Sequence, residues 1–446
     1  MKVLLSVDND IKSLKIWLNY IRDVWPEIMM DVILIDLTVD DEVKMFASGQ
    51  NDITYVYFEE EITTGKAFNT VIKELAIEDD ILISDVYHLP LLGGFAGLRE
   101  ALYGTADAFA AGPLSNSFVW EQHIEWKDAE DAFEWSEICR EGEIEEVLLL
   151  NPGVILFCKN VVDQDSTFDD EAPDVNNMII EKCIREFIDH GRMYVNKSTG
   201  FWDTRSEIYS FIDRLDLSFL EKKHGIHYLN VRGNGRLVER IKDCDISKDS
   251  EIKVLEVGCD CGGTLFRIKK AYPNARLYGS DINEKALKYA AEFAEVRVNN
   301  IEDRNLDFGI NDFDIIIFGD VLEHLRDPLS TLLYCRKLLK PGGRVAASIP
   351  NLMNIEVIKY LLDGYFPYSE AGLLDKTHIH MFTYNQIIMM FENEAGYKIE
   401  QMSMFGDVSS DDEKLIDELT KLGKAEKFMY QAYQYQVIAR VGQENN

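Results

Sequence analysis

The stretch VLEVGCDCGG, residues 254–263, decides the reading of this chain. A short apolar run carries one acid, Glu256, and ends at Gly258; after three intervening residues come Gly262 and Gly263. An apolar run of this length, bounded by glycine, reads as a buried strand entering a turn. Glycine in such a turn lets the backbone come close to a bound molecule. In open α/β sheets, ligands bind in the crevice at the carboxyl ends of the strands, which is where this turn would lie.

Outward from this loop, the strand pattern repeats. IKVLEVG, ARLYGSD, EVRVNN, FDIIIFGD, GRVAASIP, YKIEQMS and YQYQVIARV read as seven strands with helices filling most of the gaps. The alternation predicts an open, doubly wound α/β sheet over residues 251–446. The first 203 residues form another series. KVLLSV, DVILIDL, ITYVYF and DILISD read as strands, and IKSLKIWLNYI and AFNTVIKEL between them as amphipathic helices. That order predicts a second α/β domain with a parallel sheet. Residues 204–250 are charged, helical and broken by Gly225, Gly233 and Gly235, and read as a connecting region packed on the later domain.

Composition limits the partners. A formal net charge of −33 repels nucleic acid and anionic lipid, so neither is expected as a substrate. No apolar run approaches the roughly 20 residues a membrane span needs. The opening MKVLLSVDND meets an acid at Asp8 and reads as a first strand rather than a secretory leader, so a cytoplasmic protein is expected. The seven cysteines are scattered without a CxxC pair, which fits reduced thiols. The pairs His224/His227 and His378/His380 lack a Cys or His cluster in the nearby sequence, so no zinc site is expected.

Three chemistries compete for the glycine loop. A phosphate-binding P-loop needs Lys-Ser/Thr after its last glycine, and none follows here. A dinucleotide loop needs a middle glycine beside the pyrophosphate, where this chain has Cys259 and Asp260. S-adenosylmethionine carries no phosphate but has sulfonium and ammonium cations, which suit an acid at the strand end. Asp281, ending the next strand, stands at an offset at which an acid accepts from ribose hydroxyls.

Residues 252–441 resemble a class I S-adenosylmethionine-dependent methyltransferase. The resemblance is carried by LEVGCDCGG, GSDINEKAL, NNIED, FDIIIFGDVLEHLRDP, LLKPGGRVAASIPN and DKTHIHMFTYNQI, in family order. It implies a Rossmann-like seven-stranded fold with S-adenosylmethionine as cofactor. Glu256, Gly258, Cys259 and Gly262 would then line the methionine part, Asp281 and Ile282 the ribose, and Asn300 and Ile301 the adenine. Asp320 would lie near the transferred methyl group. Asn300 departs from the usual Asp. Cys259 and Cys261 are expected to pack rather than react. A hydroxyl acceptor needs a base, and the candidates are His378, which is favoured, and His324.

Residues 1–200 resemble, more faintly, a family 2 glycosyltransferase of the GT-A fold, through SVDND, VILID, AAGP, FDDEAPDVNNM and the long stretch around ISDVYH. That resemblance implies a nucleotide-sugar site with Asp8, Asp36, Lys66 and Asp85. It also implies Mn²⁺ or Mg²⁺ on Asp85, with His88 as a further ligand. A full Asp-x-Asp is missing, and Asp174, Asn176 and Asn177 stand where the family's base should be. An active transferase and a sugar- or partner-binding module both remain open. Trp120, Trp126 and Trp135 either stack on sugar or pack between helices. The joined reading is methylation of a glycan or sugar. The alternatives are a quinone-like or other small-molecule acceptor, a protein acceptor, and a non-catalytic scaffold.

Overall fold

The computed structural model describes residues 1–7, 10–38, 41–139, 141–205 and 216–442, Leu217 by its backbone alone. The chain divides into two compact units, Met1–His224 and Gly225–Asn446.

The strands of the first unit are β1 (Lys2–Val7), β2 (Val32–Asp36), β3 (Thr54–Tyr57), β4 (Ile81–Ser84), β5 (His88–Pro90), β6 (Ala108–Ser115), β7 (Ile144–Val147), β8 (Val154–Phe157) and β9 (Arg192–Asp203). They form one sheet in the order β3-β2-β1-β4-β8-β6-β9-β5, with β7 paired to β9. The four strands read from the sequence pair in parallel. The helix Ile11–Val24, started by the Asp10 side chain accepting from the Ser13 amide, supplies the crossover from β1 to β2. Beyond β4 the sheet is mixed: β8 runs antiparallel to both β4 and β6. The expected parallel sheet therefore covers only half of it. Pairing between strands distant in sequence leaves no mark on local periodicity.

The second unit contains β10 (Lys253–Val257), β11 (Arg276–Asp281), β12 (Glu295–Val298), β13 (Phe313–Gly319), β14 (Leu339–Pro350), β15 (Tyr397–Phe405) and β16 (Gln434–Val441). Their order is β12-β11-β10-β13-β14-β16-β15. All neighbours are parallel except β16, which runs antiparallel to β14 and β15. Successive residues of β10 feed opposite faces. Leu255 and Val257 enter one apolar cluster, and Val254 enters the other with Ile315 and Ile317 of β13. Burial on both faces explains why these strands read as continuous apolar runs. The strand order reverses between β10 and β13, where a ligand crevice is expected.

The connecting region does not behave as one piece. Residues 206–215 lie outside the described residues. Leu217–His224 belongs to the first unit, where His224 Nε2 meets Glu181 Oε1 at 3.3 Å. The helix Gly235–Lys242 belongs to the second, with Leu237, Val238 and Ile241 in the cluster of Val254 and Leu265. Among the described residues no helix is long and apolar enough to cross a membrane.

Candidate active site

A cavity of about 960 Å³ opens at the carboxyl ends of β10, β11 and β13. Its floor is the loop after β10. Gly258 has φ +72°, and a Cβ there would come within 2.5 Å of Val321 Cγ2. The turn therefore tolerates no side chain. Gly262 does not line the cavity. It starts the helix Gly263–Ala271 in left-handed geometry, and a Cβ there would press on the Phe293 ring at 2.8 Å. Its role is to turn the chain rather than to face a ligand. Cys259 lines the cavity but is buried, as is Cys261, and burial pushes both thiols up, so they are inert packing groups.

Glu256 lines the cavity and is 3% exposed. Its Oε2 is buried without a hydrogen-bond partner among the described residues. Burial, reinforced by the Asp281 and Asp260 charges, pushes its carboxyl to about 8. Asp281 accepts the amides of Asp260 and Asn283, each at 2.8 Å, so it shapes the loop as well as facing the cavity. Ile282 beside it is 74% exposed at the cavity wall. Asn300 and Ile301 also line the cavity. The Asn300 side chain accepts the Glu302 amide at 3.0 Å, so one amide function is spent on the turn.

Asp320, just after β13, has φ +58°. Its amide donates to Ser348 Oγ at 2.9 Å, and Gln434 Nε2 donates to its carboxylate. Solvent reaches it through the cavity, yet the surrounding protein wall pushes its carboxyl up. Asn234 Nδ2 donates to Ser348 Oγ at 3.0 Å, and Asn234 and Gln434 line the cavity. Sequence reasoning missed both. Asn234 had a signal, since it stands between Gly233 and Gly235 and caps a helix by accepting the Leu237 amide. Gln434 had none, because its position depends on the late strand β16 inserting beside β14.

His324 lines the cavity, whereas His378 does not. The two rings meet edge to face, 4.8 Å between centroids. His324 Nδ1 lies 3.2 Å from the Thr377 carbonyl and 3.1 Å from Thr377 Oγ1. His378 Nδ1 lies 3.3 Å from the Leu373 carbonyl. Burial and the His324 charge lower the His378 imidazole below its usual range. Glu323 is buried with an unpartnered Oε2, and burial pushes its carboxyl to about 8. Ligand atoms of Glu323, His324 and His378 fall within 4.8 Å of one another, close enough for a metal ion. The sequence did not suggest this grouping, because the chain brings it together over more than fifty residues.

In the first unit a cavity of about 230 Å³ is lined by Asp85, His88, Ser117, Asp174 and Arg205, among others. His88 is fully enclosed. Its Nδ1 meets Asp85 at 2.7 Å, and its Nε2 meets Ser117 Oγ at 3.0 Å and Asp203 at 3.6 Å. Burial alone would lower the imidazole, but Asp85 and Asp203 outweigh it and raise it. Both ring nitrogens are engaged, so His88 has none left for a metal ion, contrary to the expectation. Asp36 is buried and does not line this cavity; it accepts from Thr38 and from the Tyr55 hydroxyl at 2.8 Å. Lys66 is exposed on the helix Thr64–Glu74 and is not in the cavity wall. Asp8 lies outside the described residues. Asp174 spends both carboxylate oxygens on Asn177 as a helix cap. Trp126 packs against Trp135 and Trp202, with centroids 5.2 and 6.2 Å away.

Comparison with known proteins places this geometry in a class. A family described as a methyltransferase domain matches residues 255–345. The ubiquinone biosynthesis O-methyltransferase of Thiobacillus denitrificans is 34% identical over 178 residues, covering 32% of this chain and 73% of that enzyme. The enzyme of that name from Cereibacter sphaeroides is 34% identical over 105 residues, covering 22% of this chain and 42% of its own length. A solved S-adenosylmethionine-dependent methyltransferase from Archaeoglobus fulgidus is 19% identical at TM-score 0.35, covering 50% of this chain and 98% of that one. The chain belongs to the S-adenosylmethionine-dependent methyltransferases. It spans less than half the length of several of the curated relatives it matches.

Proposed function

We propose that the second unit transfers a methyl group from S-adenosylmethionine to a hydroxyl of a small, quinone-like acceptor. The observation that carries this reading is the buried, unpartnered Glu256 Oε2 in a cavity shared with Asp260, Asp281 and Asp320. A buried carboxylate oxygen without a partner is costly, and a cationic ligand relieves that cost. A pyrophosphate would aggravate it. The likeness to ubiquinone biosynthesis O-methyltransferases supports an oxygen acceptor of that chemical kind.

Bound S-adenosylmethionine supplies a methyl carbon made electrophilic by its sulfonium. Glu256 and the Gly258 turn would hold the methionine end, Asp281 and Ile282 the ribose, and Asn300 and Ile301 the adenine. Asp320, fixed by Gln434 and Ser348, would border the methyl group. His324 is the better placed base, because it lines the cavity and His378 does not. Its Nε2 would take the proton of the acceptor hydroxyl, to which bound S-adenosylmethionine would supply the methyl group. Solvent then removes that proton from the imidazolium. Incubating the protein with S-adenosylmethionine and a panel of catechols, hydroquinones and sugar nucleotides, read by mass spectrometry, tests the acceptor class. A product 14 Da heavier only among sugars would overturn the quinone-like assignment.

A second reading keeps the sugar acceptor. It is favoured by the first-unit cavity, which gathers Ser6 and Val7 of β1 with Asp85, just beyond β4. In that reading the first unit is a GT-A-like module holding a nucleotide sugar, with Mn²⁺ or Mg²⁺ on Asp85 alone among the ligands first expected. UDP or GDP with Mn²⁺ should then raise the melting temperature, and Asp85→Ala should abolish the rise. No stabilisation by either nucleotide with any divalent ion would remove this reading.

A further inference from the structure

We infer that Thr377 and Asp375 are positioning residues that hold His324 in the tautomer carrying its proton on Nδ1, leaving Nε2 as the base. The inference deepens the methyl-transfer reading, and its kinetic arm rests on that reading.

The hydrogen bonds leave one consistent assignment. The Thr377 carbonyl, 3.2 Å from His324 Nδ1, can only accept, so Nδ1 must donate. Thr377 Oγ1, 3.1 Å from the same nitrogen, could in principle donate instead. Its proton is committed elsewhere: Oγ1 donates to Asp375 Oδ1 at 2.7 Å, and a carboxylate without a proton cannot donate back. The Thr377 amide donates to the same Asp375 oxygen at 2.7 Å, which fixes the loop around it. Burial alone would raise the Asp375 carboxyl. The two Thr377 bonds and the His378 and His324 charges outweigh burial and lower it, so Asp375 stays an acceptor at neutral pH. The chain of bonds thus runs His324 Nδ1–H to Thr377 Oγ1–H to Asp375.

An unconstrained imidazole favours the opposite tautomer, and a base in the wrong tautomer has no lone pair where the proton must go. The same ring also makes an edge-to-face contact with His378. His378 is itself bound to the Leu373 carbonyl, and the Ile379 and His380 amides donate to the Glu323 carbonyl at 2.9 Å. The segment Asp375–His380 is therefore tied at several points to the turn that carries His324. Asp375 is fifty-one residues from His324 in sequence, so this arrangement has no local sequence pattern.

The test uses the full chain labelled with ¹⁵N at histidine, with His324 assigned by loss of its signals in His324→Gln. At pH 8.5 the wild type should show Nδ1 protonated and Nε2 bare. Asp375→Ala frees the Thr377 hydroxyl to donate to Nδ1 and should shift the ring toward protonated Nε2. Thr377→Val should shift it partly, and Thr377→Ser should restore the wild-type spectrum. On an accepted hydroxyl substrate, Asp375→Ala and Thr377→Val should lower kcat about 10–100-fold at unchanged KM for S-adenosylmethionine, with Thr377→Ser near wild type. A wild-type ring protonated on Nε2 would overturn the inference. So would Asp375→Ala and Thr377→Val proteins that keep both the Nδ1–H ring and full kcat. A wild type with the Nδ1–H ring that methylates no hydroxyl would overturn the proposed function instead, because the spectrum is read without any acceptor.

Discussion

Glu256 concentrates the chemistry in one side chain. Its carboxyl is held near 8 by burial, so at neutral pH it carries a proton that a bound cation must displace. S-adenosylmethionine binding at pH 7 is therefore expected to release a proton. Calorimetry in buffers of different ionisation enthalpy measures it, and Glu256→Gln should abolish the release. Affinity for S-adenosylmethionine should rise as pH climbs through 8, the direction in which Glu256 ionises. His324→Ala should lower turnover by about 10²–10⁴-fold with cofactor affinity kept, and His378→Ala by much less. The first of these groups was legible in the sequence, since an acid at a strand end before a glycine turn has few other uses. The ranking of the two histidines was not. Both sit in segments that reach the same cleft, and only the fold shows which ring reaches the cavity wall.

At the scale of elements, the site is a property of strand ends. All seven strands of the second unit were readable, because runs such as FDIIIFGD are apolar on both faces and bounded by turn residues. Of the stretch read as a connecting region packed on the later domain, helix Gly235–Lys242 packs in the second unit and Leu217–His224 in the first, since amphipathicity does not say which core a helix serves. The N-cap residue of helix Gly235–Lys242, Asn234, lines the cavity and donates to Ser348 Oγ. Gly258→Ala should destabilise the second unit, because the positive φ and the Val321 contact leave the methyl group no space. Chemical denaturation should show the loss even without ligand. Stability of the ligand-free protein should also fall as pH rises from about 5 to 9. Glu256 has an ordinary value of 4.5 and a folded value of about 8. Glu323 has the same pair of values. For both, the folded state holds protons that the unfolded chain has released, so stability present below 4.5 is lost as pH rises through 8. Replacing both by glutamine should flatten that slope.

The whole molecule carries a net charge of −33, and this field favours a cationic cofactor over an anionic one. Association of S-adenosylmethionine should slow as salt is raised, more than that of the less positively charged S-adenosylhomocysteine. The division into α/β units was legible from the two strand series, but the mixed half of the first sheet was not, because it is built from long-range pairings. The expected metal ligand His88 illustrates the limit. Its neighbour Asp85 is close in sequence, whereas Asp203, which helps to raise its imidazole, is more than a hundred residues away. The central claim is that the loop after β10 and the acid that ends β11, Asp281, hold S-adenosylmethionine. Titration calorimetry with S-adenosylhomocysteine tests it most directly. One site per chain is expected, weakened in Asp281→Ala by the loss of charge-assisted hydrogen bonds worth about 1.5–3 kcal/mol each. No heat of binding with the wild-type protein, or equal affinity in Asp281→Ala and Glu256→Gln, would contradict the account.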